Sequence, residues 1–354
     1  MASIKFNGNT SDFYADLKNR VDAYFSERKL DPHGNGKIYL KTAIYMLSFL
    51  ATYVILVFFT PSNLIGILMC ILFGILSSGI GFNVMHDGGH GSYSPNKTVN
   101  KLAALTLNML GGSSYLWNIK HNMIHHTYTN IDGHDDDIAT EPVLRLCESH
   151  KKYFFHRFQF IYWFIVYGLT YALWVFLLDI AKYFRKSISS KTGIKFDFKT
   201  HLGFWLTKII YIGLFVVLPI EMVGFTKFIV GYSIFLFTTG LYISTIFQLA
   251  HAVEDTHFVD PTNMPVLEND WAVHQVRTTA NFGSRSRVLS FLTGGLNQQV
   301  EHHLFPKISH IHYPKLSSIV KETCSAHGLV YLEHPTIWHA VASHVRLLYT
   351  LGRA

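Results

Sequence analysis

The chain has 354 residues, of which 49% are hydrophobic and only 15% are charged, whereas soluble domains carry about 25% charged residues. Its mean hydropathy is +0.21. This composition indicates a membrane protein and disfavours a soluble domain. The net charge of +7 does not indicate nucleic-acid binding, because the basic residues lie between apolar runs and not along one polar face.

The first 37 residues lack the continuous apolar core of a signal peptide. Residues 11–30 instead predict an amphipathic helix, because Phe13, Leu17, Val21 and Tyr24 fall on one helical face. The three cysteines are scattered and form neither a CxxC pair nor a disulfide framework, so they give no sign of secretion.

Several apolar runs approach the length of about 20 residues that a spanning helix needs. There are five, at residues 40–60, 62–85, 158–181, 203–224 and 228–250. A weaker run at residues 102–117 contains Asn108 and a Gly-Gly-Ser-Ser stretch. We do not expect this weaker run to span.

The topology depends on the run at residues 158–181, which has Lys and Arg residues on both sides. Basic flanks mark cytoplasmic segments, so both of its ends are expected on the cytoplasmic side. An aromatic-rich helix of this kind can lie in the membrane interface or re-enter the membrane from the same side. We therefore predict an all-α integral membrane protein with four transmembrane helices in two hairpins. Both termini, and a helical cap holding a di-metal site, are expected in the cytoplasm.

The 21 histidines include a concentrated set close to the apolar runs. They occur as HDGGH at residues 86–90, HNMIHH at residues 121–126, QQVEHH at residues 298–303, and His251 in FQLAH. Histidines three or four residues apart share one face of a helix. Three such faces and His251 can therefore enclose a pocket with eight imidazoles.

So many neutral nitrogen donors in one place indicate metal binding. The absence of cysteine from these groups argues against iron–sulfur clusters and thiolate zinc, and leaves iron, zinc, copper or nickel. Eight ligands exceed what one ion takes, so we expect two ions that share one reaction.

The same segments, HDGGHGS, HNMIHHTYTN, FQLAH and QVEHHLFP, resemble the three histidine boxes and the additional ligand of membrane fatty acid desaturases. Gln299, at the head of the third box, is typical of the front-end subgroup and is similar to linoleoyl-CoA and sphingolipid desaturases. The resemblance covers about residues 40–332.

The resemblance implies a di-iron enzyme that uses O2 to insert a cis double bond into an acyl chain, carried by an acyl-CoA or an acyl-lipid. It implies as iron ligands His86, His90, His121, His125, His126, His251, His302 and His303. Gln299 either ligates weakly, binds through water, or leaves an open coordination position.

Polar neighbours are expected to orient the ligating imidazoles. The candidates are Asp87, Glu254, Glu301, Asn297 and the cluster Asp135–Asp137. The alternative for the cluster is a solvated loop, and the alternative for Asn297 is a packing role.

The resemblance also implies a division of the chain. We expect an N-terminal cytoplasmic amphipathic segment (residues 1–37), a membrane fatty acid desaturase domain (residues 38–332) and a C-terminal cytoplasmic helix (residues 333–354). The sequence lacks the HPGG motif of a fused cytochrome domain. Electrons are therefore expected from a separate ferredoxin, or from a small cytochrome with its reductase, at a bacterial inner membrane.

Four other functions compete with this prediction. A hydroxylase on the same scaffold would begin with the same hydrogen abstraction, and a sphingolipid desaturase would share the Gln299 box. A metal transporter needs ionisable groups near the membrane midplane, whereas these histidines lie at the edges of the apolar runs. A bis-histidine haem protein would be recognised by its Soret band.

Overall fold

The computed structural model describes residues 4–7, 12–263 and 266–354, which form an almost wholly helical protein. The helices in the first half of the chain are α1 (Asp12–Glu27), α2 (Gly36–Phe59), α3 (Asn63–His90), α4 (Lys97–Ala104), α5 (Thr106–Met109), α6 (Ser114–Trp117), the π-helical α7 (Asn118–His125), α8 (His126–Tyr128) and α9 (Phe154–Arg185). The helices that follow are α10 (Phe198–Val223), α11 (Phe225–His251), α12 (Trp271–Thr278), α13 (Arg287–Thr293), α14 (Gln299–Leu304), α15 (Tyr313–Ala326) and α16 (Ile337–Leu351).

The described strands are only two residues long each. They are β1 (Ser187–Ile188), β2 (Lys191–Thr192), β3 (Asn281–Phe282) and β4 (Glu333–His334). β1 pairs with β2 antiparallel, and β3 pairs with β4 in parallel. The predicted all-helical class is confirmed.

Five helices are long and apolar enough to cross a membrane: α2, α3, α9, α10 and α11. Their outer surfaces carry many exposed large apolar side chains, such as Leu47, Leu64 and Ile209. Contact with lipid accounts for so large an exposed apolar surface, and the chain is a membrane protein.

The run at residues 158–181 lies within α9, a helix of 32 residues that is longer than the run itself. α9 packs closely against α11: Thr170 Oγ1 lies 2.7 Å from Ser244 Oγ. Gly168 lets the two helices approach, since a β-carbon there would overlap the ring of Phe237. The structure therefore has one more candidate spanning helix than the four predicted spans.

The weaker run does not form one helix but breaks into α4, α5 and α6. Gly111 lies at the break with a φ of +84° and packs against Tyr211. Its carbonyl accepts a 2.7 Å hydrogen bond from Lys208 Nζ, while Asp179 accepts one of 2.8 Å from Ser113 N–H. This irregular segment leads into the second histidine group.

The amphipathic N-terminal helix is present as α1, which buries Phe13, Leu17, Val21 and Phe25. It covers a core formed with α12, α14 and α15. The helix starts at Asp12, and residue 11, the predicted start, lies outside the described residues. At the other end of the chain, α16 packs against α9 and α11, with His344 and Leu348 buried.

Candidate metal centre

The histidines from distant parts of the sequence meet at one end of α3 and α11. His86 and His90 end α3, and His251 ends α11. The second group lies on α7 and α8, and the third lies on α14. All eight are buried except the partly exposed His90.

The ring nitrogens form two adjoining groups, each with its candidate ligand atoms within 4.8 Å of one another. One group contains His86, His90, His121 and His302. The other contains His125, His251 and His303. His126 lies between them, within the same distance of His302 and His303. The arrangement has room for two neighbouring ions.

Many of these ring nitrogens have no hydrogen-bond partner within the described residues. The buried, unpartnered atoms are Nε2 of His90, His125, His251, His302 and His303, and Nδ1 of His126. Buried polar atoms are nearly always paired in native proteins. Such a concentration of unpaired nitrogens therefore fits metal ligands.

The opposite ring nitrogen of four histidines is held by the protein. The contacts are His125 Nδ1 to Asp135 (3.0 Å), His251 Nδ1 to the Thr278 carbonyl (3.2 Å), His302 Nδ1 to the Tyr313 hydroxyl (3.2 Å) and His303 Nδ1 to Gln275 Oε1 (2.8 Å). A partner at Nδ1 fixes the ring and directs Nε2 inward, as is usual for histidines that bind metal.

The electrostatics of the centre favour neutral imidazoles. Burial, together with the neighbouring histidines, holds the pKa of His121, His126, His302 and His303 well below its usual range. Their lone pairs are therefore free to bind an ion at neutral pH.

His125 differs from these four because carboxylates adjoin it. Burial alone would lower its pKa, but Asp135 and Asp137 raise it above the ordinary value. Asp137 Oδ2 lies 3.3 Å from His125 Nδ1, and Asp137 Oδ1 lies 2.5 Å from Lys120 Nζ. Asp137 also belongs to a possible ligand group with His121 and His125. It is thus the carboxylate best placed to join the histidines.

Gln299 lies at the start of α14, three and four residues before His302 and His303, and therefore on the same face. It is fully buried, and both atoms of its amide lack a hydrogen-bond partner among the described residues. This environment is compatible with a role at the centre.

Of the residues expected to orient imidazoles, only Asp135 and Asp137 of the acidic cluster contact a histidine of the three boxes in the described structure. Asp87 instead accepts hydrogen bonds from Ser309 Oγ (2.8 Å) and His310 Nδ1 (3.0 Å). It therefore ties the end of α3 to the segment after the third box. His310, which lies outside the three boxes, is buried in this contact.

The other three expected residues have structural partners elsewhere. Glu301 accepts hydrogen bonds of 2.7 Å from both the Tyr331 hydroxyl and Asn281 Nδ2. Asn297 donates to the Phe282 carbonyl and fixes the loop before α14. Glu254 is partly exposed and forms an ion pair with Arg346 of α16.

Sequence reasoning missed several groups that contact the histidines. Gln275 and Tyr313 gave no signal, because nothing in their local sequence links them to the boxes. Trp117 stacks on His121 with ring centroids 4.6 Å apart. Its signal was available, since it precedes His121 by four residues in a helical segment.

The chain is similar in sequence to a known family and to several of its members. The sequence model of the family described as "Fatty acid desaturase" matches residues 61–335. The chain is 38% identical to the sn-1 linoleoyl-lipid 6-desaturase of Arthrospira platensis, over 95% of this chain and 92% of the relative. It is 36% identical to the same-named protein of Synechocystis sp., over 96% and 95%. It is 32% identical to the acyl-lipid (8-3)-desaturase of Physcomitrium patens, over 98% and 73%.

Proposed function

Because the chain belongs to the fatty acid desaturase family, in its front-end subgroup, it is an oxidoreductase that desaturates fatty acyl chains, and we propose that it does so with two irons and O2. The proposed ligands are His86, His90, His121, His125, His126, His251, His302, His303 and Gln299. The observation that carries this proposal is the convergence of buried imidazole nitrogens that have no partner among the described residues.

Iron is proposed because the reaction is a redox reaction. Zinc has no redox chemistry, whereas two bound irons supply the electron transfer that reduces O2 while two hydrogens leave the acyl chain. In the balanced reaction, one –CH2–CH2– group, one O2, two electrons and two protons are consumed. One –CH=CH– group and two waters are formed.

The chain's own residues orient the ligands and exclude water. Asp135, Gln275 and Tyr313 hold imidazole Nδ1 atoms, so the ligand nitrogens are preorganised. Trp117 covers the rings of His121 and His86 on one side. A buried centre of this kind protects a strongly oxidising reaction from water.

The substrate is proposed to be an acyl chain of a membrane lipid, and not an acyl-CoA. The names of the relatives in Arthrospira, Synechocystis and Physcomitrium all specify lipid-linked acyl chains. The histidine centre adjoins the ends of membrane helices α3 and α11, where an acyl chain can reach it from the bilayer.

We also propose four spans, with α9 lying along the membrane interface. Both ends of α9 contact segments on the histidine side: Gln159 Oε1 accepts a hydrogen bond from Arg145 N–H, and Lys182 Nζ binds Asp136, next to Asp137. A helix with both ends on one side does not cross. The active site and both termini are then cytoplasmic, in a bacterial inner membrane, and the chain divides at residues 37 and 332.

The function is tested by expression in a host that lacks polyunsaturated lipids, followed by mass spectrometry of the lipid acyl chains. We expect products two hydrogens lighter, with a new cis double bond between the carboxyl end and an existing double bond. A host producing the His302→Ala variant is the control. Products heavier by one oxygen would assign a hydroxylase and contradict the proposal.

A further inference from the structure

A depression that the proposed function does not use lies between α1, with the loop that follows it, and residues 305–308, which follow α14. We name it the basic cleft; its lining includes Tyr14, Lys18, Lys29, His33, Phe305 and Lys307. A second depression lies between α1 and α15, and its lining includes Arg20, Arg28 and Lys315. Together they contain six Lys and Arg side chains but only two carboxylates, Asp22 and Glu27.

Half of this positive charge is available to a partner. Three of the six basic side chains are paired: Lys18 with Asp22 at 2.6 Å, Arg20 with Asp16 at 2.9 Å and Arg28 with Glu27 at 3.7 Å. Lys29, Lys307 and Lys315 are exposed and form no ion pair with any described residue. A surface with unneutralised positive charge attracts acidic partners and raises the rate of encounter.

A continuous series of contacts links the wall of this cleft to the histidine centre. The Tyr14 ring packs edge-on against the Trp271 indole, with centroids 5.6 Å apart. Trp271 Nε1–H donates a 2.9 Å hydrogen bond to the backbone carbonyl of His126. Two aromatic rings and one hydrogen bond thus separate the surface from a proposed iron ligand.

We propose that the basic cleft docks an acidic, soluble, one-electron carrier protein, and that electrons enter through Tyr14 and Trp271 toward His126. This inference rests on the proposed function, which requires two electrons per double bond. Two carrier molecules are oxidised in succession, and their electrons, with two protons and the two hydrogens from the acyl chain, reduce O2 to two waters.

A soluble protein suits this surface better than a membrane does. The large exposed apolar side chains of the described structure lie mainly on the long helices, and Leu30 is the one large apolar side chain of the cleft that is exposed. Electron-transfer complexes bury little area and depend on charge for encounter.

The test uses the purified full chain with reduced plant-type [2Fe–2S] ferredoxin, an acidic carrier, as donor. Lys29→Glu with Lys307→Glu should raise the KM for ferredoxin about tenfold or more and leave kcat nearly unchanged. The matched control is Lys195→Glu with Lys199→Glu, which reverses two exposed lysines outside the cleft and should leave KM unchanged. An unchanged KM in the cleft variant, or an equal rise in the control, would overturn the docking site.

The electron route is tested with Trp271→Phe, which keeps an aromatic ring but removes the N–H donor. Ferredoxin-driven kcat should fall several-fold, with KM for ferredoxin and iron content unchanged. An unchanged kcat, or a fall accompanied by loss of iron, would overturn the route.

A small net-neutral reductant, propyl-viologen sulfonate, separates this inference from the function beneath it. It should drive the wild type and the cleft variant equally. If it reduces the irons but no double bond forms in the wild type, the proposed function fails; if desaturation proceeds and the cleft variant keeps its ferredoxin KM, only the docking inference fails.

Discussion

Two clusters of buried polar groups in this protein differ in how they are satisfied. Asp179 accepts hydrogen bonds from Ser113 N–H and Trp174 Nε1–H and lies 3.4 Å from Lys208 Nζ. Lys208 also donates to the carbonyls of Gly111 and Val175, each at 2.7 Å. In the histidine centre, by contrast, six ring nitrogens have no partner in the described part of the chain.

We infer from this difference that the cluster of Asp179 and Lys208 is structural and that the histidine centre is functional. A buried polar cluster whose groups are paired holds segments together, here the broken run of α4 to α6 against α9 and α10. A buried polar cluster left unpaired is costly to the fold and is accounted for by a ligand. Substitutions in the histidine centre should therefore reduce activity, whereas substitutions in the paired cluster should reduce stability.

The largest effect is expected when a proposed ligand is removed. His125→Ala should lower desaturation by more than about 100-fold, beyond what loss of a supporting residue usually costs a metal site, while the protein still reaches the membrane. The matched control is His344→Gln, because His344 is buried but both of its nitrogens are paired, with the Tyr167 hydroxyl and the Ala252 carbonyl. Lipid analysis measures desaturation, and membrane blotting measures the amount of protein in the membrane. An equal loss of desaturation in both variants would contradict a special role for the unpaired histidines.

Breaking the paired cluster should cost stability instead of chemistry. Asp179→Ala leaves Lys208 buried without its countercharge and should destabilise the fold by about 3–5 kcal/mol. Asp179→Leu with Lys208→Met should recover much of that loss. Thermal unfolding in detergent measures both, and Glu254→Ala, in an exposed ion pair, should cost no more than about 1 kcal/mol. If Asp179→Ala is as stable as Glu254→Ala, the pair has no structural role.

Loss of a supporting contact should have an intermediate effect on the metal. Gln275→Leu removes the acceptor at His303 Nδ1 and should weaken metal binding about 10–100-fold. Competition with a chelator measures affinity in the wild type and the variant. Gln298→Leu is a control in the same core, because Gln298 donates a hydrogen bond to Ser317 and not to a histidine. An equal fall in metal affinity in this control would indicate that the core is disrupted in general.

The smallest expected effect is a dependence of stability on pH. Burial lowers the pKa of His344 to about 4, whereas an unfolded histidine titrates near 6.5. The unfolded chain therefore binds the extra proton between these values, and stability falls as the pH falls through this window. By pH 5.5 the loss from this group is about 1.4 kcal/mol, and His344→Gln should flatten the stability profile by that amount. An unchanged profile would contradict a neutral, buried His344.

Local patterns in the sequence predicted much of the molecule. The apolar runs gave the long helices to within several residues, and the spacing of His86, His90, His121 and His125 predicted shared helix faces. α1 was predicted because its apolar residues follow a helical period. These features depend on neighbours close in sequence.

What the sequence did not reveal depends on contacts between distant residues. Gln275 and Tyr313 reach the histidines only after α12 and α15 have packed. Glu254 was expected near the centre, but α11 ends at His251 and the Glu254 side chain forms an ion pair with Arg346. Asp179 and Lys208 were visible as charges within apolar runs, yet their pairing depends on how α9 and α10 pack.

The most direct test of the central claim is the metal content of the purified chain after anaerobic loading with ferrous iron. Plasma emission spectrometry should find about two irons per chain, retained after desalting, with no Soret band. A single ion per chain, or zinc retained in preference to iron, would contradict a di-iron centre built from these histidines.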